Sequence, residues 1–154
     1  MEFESRREKA VQLFLQGYNC AQSVFVAHAD LYGLPEDFAC RISASLGAGV
    51  GRMREVCGCM SGMALVAGLE TGAVEGADRA GKAHNYAVVQ EMAEKFKERN
   101  GGGSIICKEL LGLKKAENDS MPEERTPEYY RKRPCLELIG MACDIIQETF
   151  GGNN

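Results

Sequence analysis

Seven cysteines stand in this sequence, Cys20, Cys40, Cys57, Cys59, Cys107, Cys135 and Cys143, and they are the residues best suited to chemistry. A thiolate is a nucleophile, half of a two-electron redox couple, and a metal ligand. No Cys-x-x-Cys occurs, which disfavours a thioredoxin-type motif and a zinc ribbon built from two such knuckles. Seven in 154 residues is well under the roughly 8–10% that marks a secreted disulfide scaffold. The number is also odd, and the densely charged residues 1–9 do not read as a signal peptide. We therefore expect a cytoplasmic chain whose cysteines are redox-active, metal-binding or buried rather than permanently cross-linked.

Local sequence separates the cysteines. Cys20 follows Asn19, a natural N-cap with Gln22 in capping-box register. Cys107 falls in the first turn of a short helix capped by Ser104, Cys135 follows Pro134 at the start of the last helix, and Cys57 opens a glycine-bearing apolar stretch. At a helix start, unpaired N–H groups and the positive end of the macrodipole stabilise a thiolate and lower its pKa below the ordinary ~8.5. Arg52 and Arg54 would add positive charge near Cys57. Cys59 would lie about 200° around a helix from Cys57, so both face one site only if the helix begins after Cys57. Cys143 sits on an apolar stripe and Cys40 lies off its helix's apolar face, so both read as structural. His28 shares a face with Cys20 but is expected to be a hydrogen-bonded core histidine, and His84 has no motif around it.

The elements that must bring these residues together are all helical. Apolar residues recur at three- and four-residue spacing in every periodic segment, and no strand pattern emerges. The first helix runs through Phe3, Ala10 and Phe14 to a cap at Gly17. The second ends at Tyr32 and Gly33. A third starts at Pro35, with Phe38, Ile42 and Leu46 as its apolar stripe. Residues 57–68 have no polar face, so their helix belongs at the centre of the bundle, where Gly58, Ser61 and Gly62 let another backbone approach. A long helix covers residues 78–97. We expect an all-α compact bundle of about six to seven helices around the glycine-containing helix. Residues 1–150 would form one domain with a polar surface loop at about 113–133, and 151–154 would fray.

Other chemistries are disfavoured. The net charge of −4 argues against nucleic acid as a partner, and no segment is apolar enough to span a membrane. The glycine loop at 47–51 follows a helix and lacks the Lys-Ser/Thr ending of a phosphate-binding loop.

The motifs Asn19-Cys20-Ala21-Gln22, Gly49-Val50-Gly51-Arg52, Cys57-Gly58-x-x-x-Gly62 and the stretch from Ser104 to Gly112, with Cys135 after them, resemble the C_GCAxxG_C_C family of redox-active proteins. The resemblance runs from about residue 10 to 148 and matches the family's four cysteines to Cys20, Cys57, Cys107 and Cys135. One position departs, since Cys59 stands where the family usually has Ala. A related domain occurs in split-Soret cytochromes, so the resemblance implies electron transfer or another oxidoreductase role, with an electron donor or acceptor as partner.

Three readings follow. Cys20, Cys57, Cys107 and Cys135 converge as a thiol/disulfide or electron-transfer site, with Arg52 as a further catalytic residue and with Gly58, Gly62 and Cys59 as the cofactor-binding positions. Alternatively the same four bind an iron–sulfur cluster, or a zinc ion, through their sulfurs. In the third reading the cysteines are structural and the protein is a helical interaction module, a homodimer through its glycine-bearing helix.

Overall fold

The computed structural model describes residues 6–113 and 119–151. Phe3 of the first expected helix, residues 114–118 of the polar stretch, and 152–154 of the expected tail lie outside the described residues.

The chain is all-α. Among the described residues the helices are α1 (Arg6–Leu15), α2 (Cys20–Ala29, continued by a 3-10 turn at Asp30–Tyr32), α3 (Glu36–Ala44), α4 (Gly58–Thr71), α5 (Arg79–Arg99), α6 (Cys107–Leu110), α7 (Pro127–Lys132) and α8 (Cys135–Phe150). The helix beyond the expected count is α7. Thr126 caps it by accepting from the Tyr129 N–H, and Pro127 supplies its first residue. Its short apolar content hid it within a stretch read as loop.

Two helices form the centre. α2 packs against α1, α3, α4 and α8, and α4 packs against α2, α5 and α8. α2 begins where the sequence predicts, because Asn19 Oδ1 accepts from the Gln22 N–H at 2.9 Å while Gln22 Oε1 accepts from the Asn19 N–H at 3.1 Å. The α2–α4 contact depends on glycine. A Cβ at Gly58 would lie 2.8 Å from the Ala21 nitrogen and 3.0 Å from the Cys20 Cβ, and one at Gly62 would lie 2.8 Å from the Val24 Cβ. The two helices therefore approach closely enough to set Cys20 directly over the start of α4.

Two expectations need correction. The proposed apolar stripe of α3 is largely outside, with Phe38 52% and Ile42 39% exposed. Its buried face is Ala39 and Ser43, since α3 lies at the edge of the bundle against α2 and small residues permit that contact. The short helix after Ser104 begins at Cys107 instead of Ile105. Ile106 is held extended because Val56 and Ile106 form an isolated antiparallel bridge, while Ser104 Oγ accepts the Ile106 N–H at 2.9 Å.

The last helix buries the apolar stripe that carries Cys143, with Leu138, Ile139, Ala142, Cys143 and Ile146 in the core. No helix among the described residues is long and apolar enough to cross a membrane.

Candidate functional site

Four helix starts open on one cavity. Cys20 is the first residue of α2, Cys57 the N-cap of α4, Cys107 the first residue of α6 and Cys135 the first of α8. All four line the same cavity of about 380 Å³. Cys57, Cys107 and Cys135 are buried on its wall and Cys20 is partly exposed. Cys40 and Cys143 lie elsewhere: Cys143 is in the core with its S–H directed at the Arg6 carbonyl, and burial pushes its pKa up to about 12.

Local backbone explains the placement of Cys57 and Cys59. With φ −55° and ψ 134°, Cys57 is outside the helix that Gly58 begins. Cys57 thus faces the cavity while Cys59, one turn position into the helix, is fully buried. Cys20 and then Cys57, together with burial, push the Cys59 thiol well above the ordinary range. Gly58 lines the cavity, whereas Gly62 meets Val24 one turn deeper and acts on the helix contact.

The thiols do not share one protonation state. Cys20 is held well below the ordinary thiol range, chiefly by the hydrogen bond from Cys135, then by that from Cys59, with burial opposing and Arg125 and Arg54 assisting. Cys135 is pushed far up by the same hydrogen bond and by burial. Cys107 is raised by burial despite Arg54. The helix-start argument expected a lowered pKa at every one of these positions. What limits it is burial at Cys107 and, at Cys135, the interaction with Cys20 followed by burial, with repulsion from neighbouring sulfurs adding less.

Arg54 reaches a sulfur, but it is that of Cys107, with Nη1 at 3.6 Å from Sγ. Arg52 lines the same cavity and pairs with Asp119 at 3.1 Å and with Glu123 at 3.9 Å. Both arginines sit in a backbone that side chains rarely adopt. Ala48, Val50, Arg52 and Arg54 have φ of 54°, 67°, 68° and 60°, with Gly49 and Gly51 also positive. A left-handed residue costs roughly 1–2 kcal/mol when it is not glycine, and a β-branched one such as Val50 is a marked outlier. Such strain persists where surrounding contacts over-determine it. Here the Arg54 N–H donates to Ala48 O at 3.1 Å and the Glu55 N–H to Gly49 O at 2.8 Å. A Cβ at Gly49 would fall 2.5 Å from the Arg54 Cα, so the loop closes only on glycine.

Residues 18–149 match the family described as "Putative redox-active protein (C_GCAxxG_C_C)". The chain belongs to that family. No curated protein and no solved structure matches the chain. The match covers all four helix-start cysteines of the C_GCAxxG_C_C chain as well as Cys59 and the strained loop.

Three cavity residues of this C_GCAxxG_C_C protein were not singled out by its sequence: Glu123, Arg125 and Tyr129. Arg125 donates to the carbonyls of Phe14 at 2.8 Å and Tyr18 at 3.0 Å, with its guanidinium 4.1 Å from the Phe14 ring centroid. It ties the polar stretch to α1. Glu123 pairs with Arg133 and stands 3.9 Å from both Arg52 and Arg54. Nothing in a run of mixed charges marks which residue turns inward, so no sequence signal was present for these three. The seven cysteines are free thiols, and among the described residues no three His, Cys, Asp or Glu side chains are set to hold a metal ion.

Proposed function

We propose that the protein is a cysteine-based redox protein working by thiol–disulfide exchange, with Cys20 as the attacking thiolate and Cys135 as the thiol that completes the disulfide. The observation that carries this reading is that Cys20 and Cys135, each the first residue of its helix, open on one cavity, where each is the other's largest influence, lowering the pKa of Cys20 and raising that of Cys135. The nucleophile thereby carries more thiolate than an ordinary cysteine, while its neighbour holds its proton more tightly until a mixed disulfide forms. Cys57 and Cys107 stand on the same cavity as a second pair for onward transfer, and Cys59 lies beneath Cys20 and Cys57. Arg54 steadies charge at Cys107. A cytoplasmic location belongs to this reading, because reduced thiols are maintained there.

The experiment is an anaerobic redox titration read by differential alkylation and mass spectrometry. A reversible Cys20–Cys135 disulfide is expected, formed before Cys40 or Cys143 changes. If Cys20 stays a thiol throughout, the reading fails.

A metal centre is the alternative, favoured by the shared opening of four thiols on one cavity, the ligand count of an iron–sulfur cluster. Iron or zinc in stoichiometric amount in anaerobically purified protein, lost in a Cys57→Ser variant, would decide for it.

A further inference from the structure

One thiol stands behind the cavity and not on it. Cys59 is 0% exposed and is not among the residues that line the cavity, whereas Cys20, Cys57, Cys107 and Cys135 all line it. In the folded protein an oxidant reaches Cys59 only by way of a neighbouring sulfur. What Cys59 can do depends on which sulfur that is.

That sulfur belongs to Cys20. Gly58 precedes Cys59, and a Cβ at Gly58 would stand 3.0 Å from the Cys20 Cβ. The Cys20 Cβ therefore lies within about 8 Å of the Cys59 Cα, since only a Cα–Cβ bond and a ~3.8 Å step along the chain add to that contact. A disulfide spans Cα separations of roughly 4.4–6.8 Å, so a local adjustment brings the pair into bonding range. Cys20 is the strongest single influence on the Cys59 thiol, and Cys59 comes second only to Cys135 among the influences on Cys20. Cys57 is the other neighbour, but it lies outside α4 on extended backbone and faces the cavity. Cys143, the remaining buried thiol, is directed at the Arg6 carbonyl. Cys20 thus has two thiols beside it, Cys135 on the cavity wall and Cys59 in the core.

We propose that Cys59 is a second resolving cysteine, which takes the Cys20 sulfur from Cys135 and moves the disulfide from the cavity wall into the core. The inference rests on the thiol–disulfide reading above. The Cys59 thiol loses its proton and attacks the Cys20 sulfur of the Cys20–Cys135 disulfide. The Cys20–Cys59 bond forms, the Cys20–Cys135 bond breaks, and Cys135 leaves as a thiolate that takes up the proton. The number of disulfides is unchanged, so the step needs no further oxidant. Cys135 returns to the cavity as a thiol, and the new disulfide has only its Cys20 sulfur open to solution, because Cys20 is partly exposed and Cys59 is not. A reducing thiol then attacks at Cys20, and the sulfur attacked decides which cysteine carries the mixed disulfide. Cys20 is thereby both entry and exit of the site.

The test uses the reduced full-length protein and 2-hydroxyethyl disulfide as the oxidant. Samples are quenched in acid, which protonates thiolates and stops exchange. They are then alkylated, digested without reduction and mapped by mass spectrometry, with peptide fragmentation to separate Cys57 from Cys59. The Cys20–Cys135 link is expected first, followed by its loss as a Cys20–Cys59 link replaces it. In Cys59→Ala, which carries the residue usual in the family, that loss should be abolished and Cys20–Cys135 should be the end product. In Cys20→Ser no link to Cys59 should form, because no other sulfur delivers the oxidant to the core. Cys20–Cys135 as the lasting product of the unaltered protein, or Cys59 joined to Cys57, overturns the proposal while leaving thiol–disulfide exchange intact. A link to Cys59 in Cys20→Ser overturns it as well. If Cys20 stays a thiol throughout, the underlying reading fails and this inference with it. The time course on the unaltered protein decides the matter even if a variant misfolds.

Discussion

Cys57 and Cys107 face the same side of an isolated β-bridge. Val56 and Ile106 pair as an antiparallel bridge, with the Cys57 N–H donating to Ile105 O at 2.7 Å and the Cys107 N–H to Glu55 O at 2.6 Å. Side chains alternate along extended backbone, so the neighbours of the bridging pair both turn to the opposite face. That face is the cavity wall. One bridge thus joins two cysteines that lie far apart in sequence, and the Lys108 N–H to Arg54 O bond at 3.1 Å extends it to the arginine.

Arg54→Gln should slow alkylation of Cys107. Burial raises this thiol and Arg54 opposes the rise, so removing the cation moves the pKa further up and reduces the thiolate present at pH 8. A pKa higher by about 1 lowers that fraction roughly tenfold. Site-resolved iodoacetamide labelling, with Cys40 as internal reference, gives the result. An unchanged Cys107 rate would show that the 3.6 Å contact carries no electrostatic weight.

The Cys20–Cys135 hydrogen bond makes a prediction about pH. Because the Cys20 pKa is lowered, its alkylation rate should hold below the ordinary thiol range near ~8.5, where an unperturbed thiol has already slowed, and fall as pH drops through the lowered value. Cys135→Ala removes the largest cause and should move the midpoint upward. Cys135→Ser retains a hydroxyl donor and should restore part of the lowering. Identical midpoints in the unaltered protein and both variants would mean that Cys135 does not donate to Cys20.

Helix starts were legible in the sequence because capping and proline are local signals. Asn19 with Gln22, and Pro134 ahead of Cys135, placed two of the site cysteines at helix starts. Cys57 was legible as the opening of the buried helix, and the condition for sharing a site with Cys59, a helix beginning at Gly58, is met. The pairing of Val56 with Ile106 was not legible, since a single bridge between distant segments leaves no periodic trace. For the same reason the inward turn of Glu123 and Arg125 was hidden. The orientation of α3 misled because its large apolar residues keep helical spacing, while its contact with α2 requires small ones.

Gly58→Ala and Gly62→Ala should separate structure from chemistry. Each added Cβ meets α2, against the Ala21 nitrogen and the Cys20 Cβ for Gly58 and against Val24 for Gly62. Overpacking of this kind costs roughly 1–3 kcal/mol, so both variants should unfold at lower denaturant. The Gly58 variant should also alter the Cys20 labelling rate, because its new methyl lies at that residue, whereas the Gly62 variant should leave the rate nearly unchanged. Equal effects on labelling would show that the helix contact acts as one rigid unit.

His28 makes the last prediction, on acid stability. It is fully buried in α2, where its Nδ1–H donates to the Val24 carbonyl at 2.7 Å. Burial lowers its pKa to about 4, against the opposing pull of that bond. An unfolded histidine titrates near ~6.5. Between these values the unfolded chain binds a proton that the folded protein refuses, so stability falls as pH decreases from about 6.5 to about 4 and the slope flattens below. The loss from this one group is at most about 3 kcal/mol. Asp30 and Glu148 have lowered pKa values, so their contributions are lost only at still lower pH, as carboxylates protonate. Urea unfolding at intervals from pH 7 to 4.5 isolates the histidine window. The unaltered protein should weaken steadily across it, and His28→Gln, which keeps a donor for Val24, should show a nearly flat profile. A flat profile in the unaltered protein would mean that His28 accepts its proton in the folded state.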